Sequence, residues 1–388
     1  MKQFFLISMT LFILIFLSVC QYNKDNSENI TEIDLTENYK DTIIKLEDFA
    51  SDIKLVRLET NENSLFGHFR GHIGKKHIII IGWEKILQFS GDGKFICVIA
   101  EKGKGPGEFN IIDGWDVDES EQLFLYHDRG KNYIRKYNMD NRKFEGKIPL
   151  ADKSNITKLN SIIFINDTLL AIQRGMFSAY HYLYFFQTTS GEIIEGKKKN
   201  PVPRSGPYAG MNPIFKETNE KSIIYQPTKS DTIYKINGKK MKSIISLDLE
   251  KPHIHGNVNE GSHASFLSMD KEYIFLRKIR YRSEKTSNSA NFKVLSSEYL
   301  RYNRSNNETY KINSLFYDYL GIELSNPIII FQDNKFFAIK YEAISFKDLI
   351  DNTLKNNNIS KLKKNKLKQL NKKITENDNP ILITGKYK

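Results

Sequence analysis

His253-Ile254-His255, with His263 shortly after, has a spacing that suits a metal ion. On a strand, residues two apart point the same way, so the first two imidazoles could share a cation. No carboxylate stands at a matching spacing, and Gly256 and Gly261 point to a mobile, solvent-facing histidine loop as the plainer reading. A second candidate is acidic. Asp113, Asp116 and Asp118, followed by Glu119, stand close together. Alternation along Trp115-Asp116-Val117-Asp118 sends Asp116 and Asp118 to one face, which suits either a divalent cation or a solvated strand edge. Nothing resembles H-E-x-x-H on a helix or G-x-S-x-G on a strand-to-helix turn, and Gly261-Ser262-His263-Ala264-Ser265 has the wrong spacing for the latter.

The segment Gly103-Lys104-Gly105-Pro106-Gly107-Glu108-Phe109 looks like a phosphate cradle. A phosphate loop, however, needs converging backbone N–H groups and a following helix. Pro106 removes one N–H, and the residues after Phe109 read as a loop entering a strand. Glycines flanking a fixed proline make a tight structural crossover, with Glu108 free to accept N–H groups from the next unit. The aromatic run at residues 180–186 could stack on sugar rings, but Tyr and Phe are first of all strand residues. The stiff connection at residues 197–212, rich in Pro and carrying Arg204 and Tyr208, is the better recognition surface beside the acidic cluster.

These side chains need a scaffold, and internal repetition supplies one. An apolar strand, a polar break, a second strand, a Gly/Asp/Asn turn and a third strand recur six times, with a period of about 45–60 residues typical of propeller blades. The copies begin at residues 77, 122, 168, 222, 272 and 335. The last lacks an outer strand, which residues 53–58 would supply by pairing both ends of the chain and removing exposed sheet edges. Residues 346–374 interrupt that copy with apolar positions at loose helical spacing separated by lysines, which predicts a small amphipathic helical insertion. The expected fold is therefore an all-β, six-bladed propeller over residues 41–388. An acidic cluster at its channel mouth is where an enzyme of this architecture would work.

The N-terminus predicts an address. Lys2 precedes an apolar run at residues 4–17, long enough for a signal segment but short of the ~20 residues that span a bilayer. Leu17-Ser18-Val19-Cys20 resembles a bacterial lipoprotein cleavage site. Residues 1–19 then form the signal peptide, Cys20 takes the lipid, and residues 20–40 are a flexible tether. Gln21 in place of Asp favours the outer membrane, on its periplasmic face or at the cell surface. Cys97 has no partner for an intramolecular disulfide, and its apolar neighbours predict a small core residue. The net charge is +12, mostly from lysine. An exported, lipid-anchored chain with lysines scattered through turns is not a nucleic-acid reader, although an anionic surface or polysaccharide would be attracted.

Val56-Arg57-Leu58-Glu59-Thr60, the GKGPGEF segment, Asp231-Thr232-Ile233-Tyr234 and Asn379-Pro380-Ile381-Leu382-Ile383 occur in that order. Together they resemble the six-bladed β-propeller lipoproteins of Gram-negative gut anaerobes over nearly all of the mature chain. The resemblance implies the fold and an envelope location, and brings no catalytic residues with it. The expectation is a non-catalytic module binding an envelope protein or glycan, accessory to nutrient uptake. The alternative is a metal-dependent lactonase, lyase or glycosidase with its site at the channel mouth. No cofactor motif is present, and a divalent metal belongs only to that alternative.

Overall fold

The computed structural model describes residues 30–388 except 37–38, 68, 152–158, 175–181, 199–214, 217–221, 227–229, 238–239, 256, 286–289, 326–327, 332–335 and 357. The fold is all-β with three small helices, and its sheets are arranged like the blades of a propeller. Five sheets are blade-like and one is larger.

The first sheet is an antiparallel meander of β4 (Gly71–Ile73), β5 (His77–Ile81), β6 (Lys85–Ser90) and β7 (Phe95–Glu101). The second repeats it with β8 (Ile112–Val117), β9 (Leu123–Asp128), β10 (Tyr133–Asn138) and β11 (Lys143–Pro149), and the third with β12 (Leu159–Asn166), β13 (Leu169–Arg174), β14 (Tyr182–Thr188) and β15 (Ile193–Lys198). β4 lies against β8, and β8 against β12, so the first strands of successive sheets share the centre.

The repeats seen in the sequence begin one strand late. Residues 77, 122, 168 and 222 open or adjoin the second strand of each sheet; the first strands of the first and fourth sheets hold only three and two residues, and that of the second, Ile112–Val117, is broken by Asp and Gly. The fourth sheet shows this most clearly, opening with a first strand, β16, of only two residues, Phe215–Lys216. It continues through β17 (Ile223–Tyr225), β18 (Thr232–Asn237) and β19 (Lys240–Asp248).

The fifth sheet departs most from the expected blade. Its strands β21 (Val258–Met269), β22 (Tyr273–Lys285), β23 (Ala290–Asn303) and β24 (Glu308–Tyr317) are 10 to 14 residues long. β20 (His253–His255) extends one side, and β25 (Ile322–Ser325) pairs with β24, giving seven strands in all with one from the N-terminus. The sixth sheet holds β26 (Ile328–Phe331), β27 (Phe336–Tyr341), β28 (Ile381–Tyr387) and β3 (Ala50–Arg57). β3 pairs antiparallel with β28, Val56 opposite Leu382 and Arg57 opposite Ile381, so both chain ends meet in one sheet.

The N-terminal segment does more than its sequence suggested. β1 (Thr31–Asp34) adds in parallel to the outer strand β19, and β2 (Lys40–Lys45) adds in parallel to β24. Residues 31–40 therefore include sheet structure in place of a free tether. A strap running from β1 to β3 covers the outer edges of the fourth, fifth and sixth sheets in turn, which shields edges that would otherwise template aggregation. Buried Lys278 fastens it, its ammonium donating to the Leu35 carbonyl (2.6 Å) and the Tyr39 hydroxyl (3.3 Å).

Between each pair of successive sheets lies an apolar cluster. β5 is buried throughout because it faces two of them. Ile79 and Ile81 meet Phe124 and Tyr126 of the second sheet, while Ile78 and Ile80 meet Val56 and Leu382 of the sixth. Further clusters join the second sheet to the third, the third to the fourth, the fourth to the fifth and the fifth to the sixth. A strand apolar on both faces suits a sheet sandwiched between neighbours.

Polar staples set the sheets' relative position. The Glu121 carboxylate, in the turn before β9, accepts the backbone N–H groups of Lys75 (2.7 Å), Lys76 (2.7 Å) and His77 (3.0 Å) of the first sheet. The buried Gln226 amide donates to the carbonyls of Ser230 (2.9 Å) and Ala264 (2.8 Å) and accepts from Phe266 N–H (2.8 Å). The Asn379 side chain donates to the carbonyls of Glu59 (2.9 Å) and Ser64 (3.0 Å) beside the β3–β28 pair.

The insertion between β27 and β28 forms α2 (Ala343–Lys355) and α3 (Lys361–Asn371), while α1 (Leu46–Phe49) leads into β3. Phe346, Ile350 and Leu367 anchor the insertion to the fifth and sixth sheets. Ser360 caps α3, its hydroxyl accepting the Lys363 N–H (3.3 Å).

Candidate functional site

The GKGPGEF segment joins the outer strand β7 to the central strand β8 and spends its polar groups on itself. Gly103 N–H donates to Phe109 O (2.9 Å), Phe109 N–H to Glu101 O (3.0 Å), and Gly105 N–H to Glu108 Oε2 (2.6 Å). The Glu108 carboxylate packs so closely on Gly103 that a Cβ there would overlap it, and Gly107 takes φ +88°. Phe109 is buried between the first and second sheets, and Arg135 holds Glu108 O at 2.8 Å. Glu108 thus closes its own loop and does not reach to the next sheet. The Asp128 carboxylate takes that part, accepting Asn110 N–H (2.9 Å) and Ile111 N–H (3.1 Å).

The three carboxylates after this loop go to three separate tasks. Asp113, on the central strand β8, is buried and receives Arg129 through Nε (3.1 Å to each oxygen) and Nη2 (2.7 Å). Asp116 reaches the third sheet, accepting the Phe164 N–H at 2.7 Å. Asp118 lies just past the end of β8 and caps the hairpin, accepting Gln122 N–H (2.7 Å), Leu123 N–H (2.6 Å) and the Ser120 hydroxyl. The strand ends at Val117, so the alternation that would align Asp116 with Asp118 stops before Asp118.

The groups gathered around Asp113 are cationic. The Arg70 guanidinium stacks on Trp115 (5.1 Å to the ring centroid) and donates to Ile112 O (2.6 Å). Burial makes Arg70 easier to deprotonate, Asp113 opposes that, and Arg129 adds to it. The hydrogen bond to Asp113 raises the pKa of Arg129. Sequence reasoning found Asp113 and missed both arginines, which stand 43 and 16 residues from it in the chain without a shared motif.

The histidines separate as well. His253 and His255 are exposed on β20, a strand where the sequence suggested a mobile loop, and His253 pairs with Glu260 of β21. His263 lies three positions further along β21, with its Nε2 3.2 Å from the Ser265 hydroxyl. Among the described residues no group of three His, Cys, Asp or Glu side chains could hold a metal ion. Cys97 is half-buried, its sulfur 3.5 Å from the Tyr137 hydroxyl, and so is less enclosed than its apolar neighbours suggested. In the aromatic run, Phe185 and Phe186 are buried between sheets. Cys20, Arg204 and Tyr208 lie outside the described residues.

A groove of about 710 Å³ opens elsewhere, at the junction of the chain ends. Residues 50–55 at the start of β3 form one side, Tyr317 at the end of β24 with Tyr319 and Leu320 of the following turn another, and Lys366, Gln369, Leu370 and Lys373 of the insertion a third. Its volume falls in the range of ligand pockets. Glu47 Oε1 accepts Asp318 N–H (3.1 Å) and Tyr319 N–H (3.4 Å), fixing the tyrosine turn. Burial, with help from the Glu47 charge, pushes the Tyr317 hydroxyl up to about 12. Lys366 Nζ sits 3.7 Å from the centroid of the Tyr319 ring. Nothing in the sequence pattern links these segments, which come together only through the strap and the insertion.

A family model described as a domain of unknown function, DUF4934, matches residues 30–386. The chain belongs to the DUF4934 family. That match begins where β1 begins, so the strap belongs to the DUF4934 domain. No curated protein matches the chain. Among solved structures, the DUF4934 chain is similar to a Bacteroides fragilis NCTC 9343 protein inferred to be exported, at 14% identity over 92% of this chain and 99% of that one, with a TM-score of 0.61. A member of the DUF4221 family from Bacteroides vulgatus is 10% identical over 87% of this chain and 97% of its own, with a TM-score of 0.44. At such identities the first likeness speaks for the fold of the DUF4934 domain alone.

Proposed function

We propose that this DUF4934 protein is a six-bladed propeller, held on the outer membrane by a lipid on Cys20, that binds a ligand or an envelope partner without catalysing a reaction. The long fifth sheet counts as a blade in this reading. Apolar clusters between every pair of successive sheets, including the sixth and the first, support a closed ring. The lipobox-like segment and a structural relative inferred to be exported support the address.

The observation that carries the binding reading is the fate of the central carboxylates. Asp113, Asp116 and Asp118 are each engaged by an arginine or by backbone N–H groups, so each is committed to holding the scaffold at a separate place. Arg204 and Tyr208 remain proposed contributors at the channel mouth, and service to nutrient uptake remains the proposed setting.

The test is full-length protein expressed in a Gram-negative anaerobe and labelled with an alkyne fatty acid, then crosslinked in the intact envelope and identified by mass spectrometry. The expected result is a label lost in Cys20→Ala and a stoichiometric envelope partner or bound glycan. A chain that is never lipidated, or that releases product from a lactone or glycoside library, would overturn the reading.

A further inference from the structure

We propose that the groove between the N-terminal strap and the helical insertion is a binding site for an acidic oligosaccharide, such as a uronate-bearing chain. This rests on the binding reading above and moves the ligand from the channel mouth to the periphery.

Charge comes first. Lys361, Lys363, Lys364, Lys366, Lys368, Lys372 and Lys373 occupy α3 and the turn after it, with no acidic residue among positions 361–373. Among the described residues, only Lys363 has a carboxylate partner, Asp318 at 3.1 Å. Among the lining residues, Lys54, Lys366 and Lys373 outweigh the two acids, Glu47 and Asp52. Glu47 Oε1 is engaged by the tyrosine turn, and Asp52 is exposed. Lys366 and Lys373 line the groove, and the excess of positive charge on α3 around them concentrates anions there.

Shape and aromatic content then choose among anions. A flat bilayer cannot enter a groove of about 710 Å³, whereas a chain can. Tyr319 is 58% exposed, and its ring lies 5.9 Å from that of Tyr317. Such a ring offers an apolar platform for the C–H face of a sugar, with Gln369 and Ser51 beside it as hydroxyl partners. Lys366 rests on the Tyr319 ring. An incoming carboxylate is a stronger partner for that ammonium, and its departure uncovers the ring for stacking.

The test is titration of the purified full-length protein with oligogalacturonate, and with neutral malto-oligosaccharide, polyglutamate and phosphatidylglycerol vesicles. Oligogalacturonate should bind in a salt-dependent way. Affinity should fall by about tenfold or more in Lys366→Glu/Lys373→Glu and several-fold in Tyr319→Ala, with thermal melts unchanged. If the charge reversal melts early, Lys366→Gln/Lys373→Gln carries the test. Absence of oligogalacturonate binding, equal binding of polyglutamate or vesicles, or affinity indifferent to these substitutions would each overturn the proposal. Any of those results alongside an envelope partner captured by crosslinking would leave the broader binding reading standing.

Discussion

Removing the Glu121 side chain should cost this protein much of the coupling between its first two sheets. One carboxylate accepts three backbone N–H groups, from Lys75, Lys76 and His77, at 2.7–3.0 Å. Hydrogen bonds to a charged group contribute about 1.5–3 kcal/mol each when sheltered. This site is partly open to water, so about 1 kcal/mol per bond is the fitting figure after screening. Glu121→Ala should therefore lose about 3 kcal/mol, and at roughly 2 °C per kcal/mol for a domain this large the melting temperature should drop by about 6 °C. Glu121→Gln keeps one acceptor oxygen and turns an NH2 group toward donors, so it should fall between the two. Thermal unfolding by circular dichroism reads the shift, and amide hydrogen exchange at Lys75–His77 reads its origin. An alanine variant melting within about 1 °C of the wild type, with unchanged exchange at those three amides, would refute the idea that this turn couples the sheets.

Gln226→Leu leaves the Phe266 N–H and the Ala264 carbonyl without their side-chain partner, so urea unfolding should show a loss of about 2–4 kcal/mol. Gly103→Ala displaces the Glu108 carboxylate from the Gly105 N–H and should cost about 0.5–1.5 kcal/mol by the same assay, whether or not any anion is present. Asp378 accepts the N–H and hydroxyl of Thr375 and pairs with Arg57. Burial works against its charge, but these partners outweigh burial and hold its pKa below the usual value. Its contribution is thus complete above the unfolded-state pKa of about 3.9 and lost as pH falls below that. A pH series of melting temperatures should be less steep below pH ~4 in Asp378→Asn than in the wild type, and parallel curves would count against this role.

Much of the architecture was legible because blade strands carry their pattern locally. Ile78-Ile79-Ile80-Ile81 announces a strand covered on both faces, and the turn at Ser90–Gly93 follows from Gly and Asp alone. That residues 53–58 join the last sheet was legible because the last repeat visibly lacked a strand, whereas the register that sets Arg57 opposite Ile381 was not. Gly71-His72-Ile73 and Phe215-Lys216 were not, because strands of three and two residues hold too few positions for a period to appear. β1 and β2 escaped notice because they exist by adding to sheet edges more than 200 residues away in the chain, a stabilisation with no local signature.

The candidate site divides along the same physical line. By itself the sequence determined the longer apolar blade strands, the turns between them, and that a lysine-rich amphipathic insertion interrupts the last repeat, since propensity, alternation and turn chemistry act over a few residues. Which carboxylate is occupied and which surface is concave could be decided only in three dimensions. The Phe164 amide that takes Asp116, and the β3 and Tyr319 segments that meet α3, arrive from remote parts of the chain. Hydrogen bonds and cavities depend on distances in space, and spacing along the chain does not encode them.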